Sequence, residues 1–191
     1  MAPETYEKIL STARRLFVQQ GYTATSMRQV AESAGIGKAT IYHHFPDKQS
    51  IVMALLQRNI TRMEEALRLV RAESDPRRRI QVAVEASIDF LYESVDILQI
   101  ARREVPSGRD QTQGGYAKFF QEYMALLTDA IQRGIEQGIF RPVNPTEAAR
   151  VLMTMIQGTF AMVYLINERA QTSQRAAVVL LDVYFRGLDA R

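Results

Sequence analysis

The stretch from Thr25 to Lys48, TSMRQVAESAGIGKATIYHHFPDK, limits what this chain can fold into more than any other part of it. It reads as a helix, a three-residue turn and a second helix. Counting from Met27, Ala31 falls where two helices would cross, Gly35 where the first must stop, and Ile41 where the second must bury a side chain. A residue larger than alanine at the crossing would hold the helices apart, and only glycine takes a left-handed conformation past a helix end without steric cost. Ile36 caps this small core from the turn.

Ile41 and Phe45 are four apart and share the inward face of the second helix, which leaves Lys38, Thr40, Tyr42 and His43 for its outer surface. In a helix-turn-helix the N-terminal residues of the second helix reach base edges while the first helix crosses the backbone, so these four are placed to face a major groove of double-stranded DNA. Arg28, on the outer side of the first motif helix, is placed for a guanine edge or a phosphate. Lys38 is the stronger candidate for a base contact. Asp47 is positioned to cap a further helix whose first turn carries Lys48, and free N–H groups beside a lysine make a phosphate seat. His43 and His44 are adjacent, so they cannot both reach one metal from a helix, where ligand pairs want i, i+4 spacing. No metal or other cofactor is expected; His43 faces DNA and His44 supports the interface with the next domain.

Ala31, Gly35, the run Thr40-Ile41-Tyr42-His43-His44-Phe45 and Asp47-Lys48 resemble the TetR family of bacterial repressors. The resemblance covers the first fifty or so residues closely. Beyond them it rests on helix count, length and the junction Gly138-Ile139-Phe140-Arg141-Pro142. It implies a homodimer that leaves its operator when a small molecule binds, and it matches Ser26, Thr40, Tyr42 and Lys48 to positions that touch phosphate.

At 191 residues the chain holds one or two small domains with a real core. Its net charge of +3 is mild, and up to Ser50 the cations Lys8, Arg14, Arg15, Arg28, Lys38 and Lys48 outnumber Glu4, Glu7, Glu32 and Asp47 by only two. The case for nucleic acid therefore rests on the motif and not on charge. There is no cysteine, which removes disulfide frameworks and thiolate metal sites and suits a reducing cytosol. The opening MAPETYEKIL is charged and lacks a secretory apolar core, so a cytoplasmic protein is expected. The most suspicious apolar run, Val151 to Ile166, is shorter than the ~20 residues a bilayer span needs and contains Gln157, so it reads as a helix buried in protein and no membrane partner is expected.

The periodicity predicts an all-α chain of about nine helices, and the resemblance implies a three-helix head with the helix-turn-helix in residues 1–46 and a helical ligand-binding and dimerisation domain in 47–191. Tyr6, Ile9, Leu10, Ala13, Leu16 and Phe17 recur at spacings of three and four before Gly21 ends the first helix. Ser26 and Gln29 fit a capping box. The pattern Val52, Leu56, Ile60, Met63, Leu67, Val70 sustains one helix to about Glu73, and Pro76 opens another that runs to about Val95. A separate short helix is expected from Ile97 to Glu104, then a polar, glycine-bearing loop from Ser107 to Gly115. Tyr116 to Gln137 forms the next helix, stopped by Gly138. Asn144, Pro145 and Glu147 then stand as N-cap, N1 and N3 of a restart, Glu147 being placed to reach back to the cap.

The last two helices, about Pro145 to Asn167 and Ser173 to Leu188, are apolar nearly all round, and one small core cannot absorb both faces. A second copy of the chain is the expected cover, with Val163, Tyr164, Val178, Leu181 and Phe185 at the interface. Gly158 would permit close approach, either between subunits or toward a cavity. Tyr92, Arg103, Phe120, Tyr123, Met153, Gln157 and Phe160 are the candidate lining of a cavity for a small hydrophobic effector. An enzyme is not expected. The string around Lys38 fails as a phosphate-binding loop because Glu32 stands where its first glycine belongs and Ala39 follows the lysine, and no nucleophile elbow or zinc-protease motif occurs. The alternative to a ligand-released repressor is a DNA-binding adaptor of the same fold that needs no small molecule; a filled C-terminal core would favour it.

Overall fold

The computed structural model describes residues 3–104, 108–165 and 173–190; the side chains of Phe160, Val163 and Tyr164 fall outside what it describes. Eight helices lie among the described residues: α1 (Pro3–Gln20), α2 (Met27–Ser33), α3 (Lys38–His44), α4 (Lys48–Ala72), α5 (Pro76–Glu104), α6 (Gly108–Glu136), α7 (Pro145–Leu165) and α8 (Ser173–Leu188). None of them is long and apolar enough to cross a membrane. The all-α expectation stands, with one helix fewer than the periodicity suggested. The expected break near Val95 does not occur, because the residues on either side of Asp96 include neither proline nor glycine and α5 continues through them. The loop expected over Ser107 to Gly115 is also corrected: the backbone is helical from Gly108. Extending a formed helix gains a hydrogen bond for each residue fixed, and Arg109, Gln111 and Gln113 are good helix formers.

The chain divides into two compact units, Met1–Asn59 with Asp96–Gln113, and Ile60–Val95 with Gly114–Arg191. The first unit reaches past residue 46 because its core needs more than three short helices. Ile9, Leu10, Ala13, Leu16 and Phe17 of α1 meet Met27, Val30 and Ala31 of α2 and Ile41 of α3, but the cluster is completed by Ile51, Val52, Leu55 and Leu56 of α4 and Ile97 and Ala101 of α5. Gly21 ends α1 at φ 91°, and Thr25 closes the following turn by donating to the Gly21 carbonyl at 2.8 Å.

The second unit is built on Leu67, Val70, Ile80, Val84, Ile88, Leu127, Ile131, Leu152 and Leu180, with most of the inward side of α8. Arg79 is almost wholly buried. Its guanidinium donates to the Glu73 carbonyl and to the Asp129 carboxylate, both at 2.6 Å, so the turn before α5 is fastened to α6. Asn144 caps α7 as expected, accepting from the Glu147 amide at 3.1 Å. The Glu147 carboxylate accepts from Arg150 at 2.8 Å in place of the expected reach back to the cap. At the end of α6, Gly138 adopts φ 71°, and the amides of Ile139 and Phe140 both bond the Gly134 carbonyl, at 2.8 and 3.0 Å. This turns the Phe140 ring back onto Gly134, where a Cβ atom would collide with it.

Gly134→Ala is therefore expected to lower the stability of the protein by about 1–3 kcal/mol, the usual cost of over-packing. Gly187→Ala, in α8 with open space around the position, is expected to be neutral or to gain up to about 1 kcal/mol from helix propensity. Urea unfolding midpoints of the two variants check this; equal midpoints would remove the packing role given to Gly134.

Candidate nucleic-acid interface

The motif folds as its residues require. Ser26 has extended backbone angles and accepts from the Gln29 amide at 3.2 Å, while the Gln29 side chain accepts from the Ser26 amide at 2.8 Å, a complete capping box for α2. Ala31 is buried at the helix crossing. Gly35 sits at φ 63°, and the Ile36 amide bonds the Ala31 carbonyl at 3.0 Å, which closes the turn. In α3 only Ile41 is buried, with no exposed surface, and Phe45 follows it into the core at the C-cap. Fixing one side of a seven-residue helix in this way fixes the other. Lys38, Thr40, Tyr42 and His43 are all exposed, as the spacing of Ile41 and Phe45 requires.

The remaining candidates stand differently. Arg28 is exposed but pairs with Glu32 one turn on, Nε to Oε1 at 2.7 Å, and this partner raises its already high pKa. A DNA contact by Arg28 must therefore compete with, or share, that carboxylate. The Ser26 hydroxyl is engaged by the capping box. His44 is half-buried, its ring edge-on to Tyr6 with centroids 6.2 Å apart, and Tyr6 stacks on Phe45 at 5.1 Å. His44 thus braces α1 against α3 inside the first unit.

Lys48 is the least expected. Asp47 does cap α4, accepting from the Ser50 amide at 2.7 Å, but the Lys48 ammonium turns inward, donating to the Tyr22 carbonyl at 2.7 Å and lying 4.4 Å from the centroid of the Tyr22 ring. Burial first, and then the charges of Glu104 and Asp47, raise the Tyr22 phenol pKa, so the ring stays neutral beneath the cation. Lys48 accordingly ties the start of α4 to the link between α1 and α2. One residue was passed over in the sequence: Lys8 of α1 brings its ammonium to within 3.8 Å of where a Cβ of Gly35 would be, beside the motif turn. Its outward place on α1 was legible; its nearness to a turn 27 positions away in sequence was not.

In the second unit, the described residues expected to line an effector cavity stand in differing surroundings. Tyr123 is buried and satisfied, donating to the Ala83 carbonyl at 2.9 Å and accepting from Ser87 at 2.8 Å, and burial pushes its phenol pKa up. Met153 belongs to the core. Tyr92 is half-buried and packs against Leu91 and Val95, while Phe120 and Gln157 are exposed. Arg103 falls in the first unit and is exposed; the Phe160 side chain is outside those described. Two clefts lie elsewhere in the second unit. One, of about 260 Å³, runs between α4 and α6 past Met63, Leu67, Arg68 and Phe119. The other, of about 420 Å³, runs between α7 and α8 past Val151, Met155, Val183 and Tyr184.

The expected interface set also divides. Val178 is 61% exposed, but Leu181 and Phe185 are buried in the chain's own core, which corrects their assignment. On α8 the inward residues are Ala177, Leu180, Leu181, Tyr184, Phe185 and Leu188, so the outward apolar ones are Val178, Val179 and Val183. Val151 and Met162 of α7 are exposed too. Val163 and Tyr164 lie outside the described side chains.

Known proteins share this arrangement. Residues 9–55 match the family model of bacterial regulatory proteins of the tetR family, and residues 73–161 match that of the tetracyclin repressor-like C-terminal domain. The chain is 30% identical over 156 residues to the uncharacterized HTH-type transcriptional regulator YvkB of Bacillus subtilis (strain 168), a match covering 82% of this chain and 81% of that protein. A putative transcriptional regulator from Saccharomonospora viridis, solved in complex with choline, superposes with a TM-score of 0.72 at 25% identity over the whole of both chains. AibR in complex with isovaleryl coenzyme A and operator DNA gives 0.63 at 25% identity, covering 95% of this chain and 98% of that one. With a helix-turn-helix whose recognition surface is set by one buried isoleucine, followed by a helical C-terminal region of the matching kind, the chain belongs to the TetR family of bacterial transcriptional regulators.

Proposed function

We propose that the protein is a homodimeric repressor that reads a palindromic operator with two α3 helices and releases it when a small effector occupies the C-terminal region. The observation that carries this reading is the exposed set Lys38, Thr40, Tyr42 and His43 on a helix held by Ile41. Lysine reads guanine O6 and N7, and tyrosine and threonine hydroxyls reach phosphate. Support for the dimer comes from Val178, Val179 and Val183 of α8 and Val151 of α7, each more than half exposed. Apolar side chains left in water on two neighbouring helices are what a second copy would cover. Support for an effector comes from the two clefts and from the neighbours solved with choline and with isovaleryl coenzyme A.

Release follows from linkage. An effector that prefers a conformer poorly matched to the operator lowers operator affinity by its ratio of affinities for the two states, and the operator weakens effector binding by the same factor. Such a protein works as a soluble cytoplasmic regulator and needs no catalytic group.

Lys38→Ala is expected to change which sequences are selected from a pool of random duplexes; uniform weakening at every site would make Lys38 a backbone contact. Lys48→Ala is expected to weaken binding to all duplexes alike. If Lys48 neutralises a phosphate, log K against log salt loses about 0.9 of its slope. An unchanged slope with lower affinity would leave Lys48 as the staple to Tyr22 alone. Val178→Glu with Val183→Glu is expected to give a monomer by sedimentation that no longer holds the palindrome. A dimer that persists would move the interface elsewhere.

A further inference from the structure

The cleft of about 260 Å³ between α4 and α6 is lined by side chains that take no part in the α3 surface. Its floor is apolar. Met63 and Leu67 are buried there, and Phe119 is held in place by stacking on Tyr123, ring centroids 5.5 Å apart. Its rim is cationic. Arg71 is committed to Glu122 at 3.1 Å, but Arg68 and Lys118, both exposed, have no hydrogen bond or ion pair among the described residues. The lining carboxylate outside the Arg71–Glu122 pair is Glu64, one turn before Arg68 on α4. The rim therefore keeps a net positive charge over a greasy floor, and that combination selects the sign of a ligand as well as its polarity.

We propose that this cleft binds an amphipathic monoanion, a carboxylate on a short alkyl or aryl chain. The chain lies on Met63, Leu67 and Phe119, and the carboxylate meets Arg68 and Lys118. A guanidinium offers paired N–H donors that match the two carboxylate oxygens, and an ammonium adds a point charge from the facing helix. The volume is just under the roughly 300–1,000 Å³ of drug-sized ligand sites, so a small acid fits better than a polycyclic one. This inference rests on the reading of the protein as an effector-released regulator, and it sharpens the effector from hydrophobic to anionic.

The test is calorimetric titration of the full chain with decanoate, decanol and decyltrimethylammonium, each kept below its micelle concentration. Decanoate is expected to bind at least tenfold more tightly than decanol, with the cation weakest. Arg68→Ala with Lys118→Ala is expected to abolish that preference while leaving the unfolding midpoint unchanged, since both side chains are exposed. Phe119→Ala is expected to weaken acid and alcohol alike. Decanol binding as tightly as decanoate, no decanoate binding at all, or a double variant that keeps the preference would each overturn the proposal. Operator retention measured on the same samples separates the two readings. Decanoate bound without operator release supports the cleft and removes the coupling. Release by a neutral ligand with decanoate inert supports the sensor and overturns the anionic cleft.

Discussion

Burial of Ile41, which has no surface left in contact with water, is the constraint from which the outward face of α3 follows, because a seven-residue helix has too few turns to hold a second opinion about its orientation. Removing an isoleucine side chain from water contributes roughly 1.5–3 kcal/mol, a large share of what so short a helix can draw on, since isolated helices of this length do not persist in water. Ala31 allows the approach, Gly35 permits the turn and Phe45 prolongs the contact past the helix end. The outward chemistry of α3 is thus a by-product of packing.

The same logic explains why Lys48 differs from its neighbours. A lysine on a helix's first turn is free to reach outward, and sequence spacing places it there. In the folded unit, however, two carbonyls of the α1–α2 link and the face of Tyr22 lie within its reach. Main-chain oxygens near a partly buried ammonium need a donor. Lys48 thereby gains a structural duty that a motif cannot record.

In the second unit, the buried polar groups Tyr123 and Arg79 are spent on the fold. Tyr123 pins α6 to α5 through Ser87 and Ala83, and Arg79 ties the turn before α5 to Asp129. A buried phenol or guanidinium left without partners is costly, so each is satisfied internally. At the cleft between α4 and α6, Arg68 and Lys118 keep spare capacity among the described residues, and both are exposed side chains that periodicity marks as surface. A cleft is a relation between two helices, and no single helix's pattern announces it.

The sequence alone determined the all-α class, the helix-turn-helix, its capping box, the cap of α4 and the outward set on α3. These depend on residues within about one or two helical turns of each other, where side-chain direction follows from helix geometry. It also located the surplus of apolar surface on the last two helices, but of the α8 residues it chose only Val178 carries it: Leu181 and Phe185 turn inward while Val179 and Val183 turn out. Only the tertiary structure decided that division, the extent of the first unit's core, the inward turn of Lys48 and the cleft between α4 and α6. Each depends on which helix lies across from which. A residue's burial is settled by its neighbour in space, and the period of one helix says only which residues share a side, not what that side will meet.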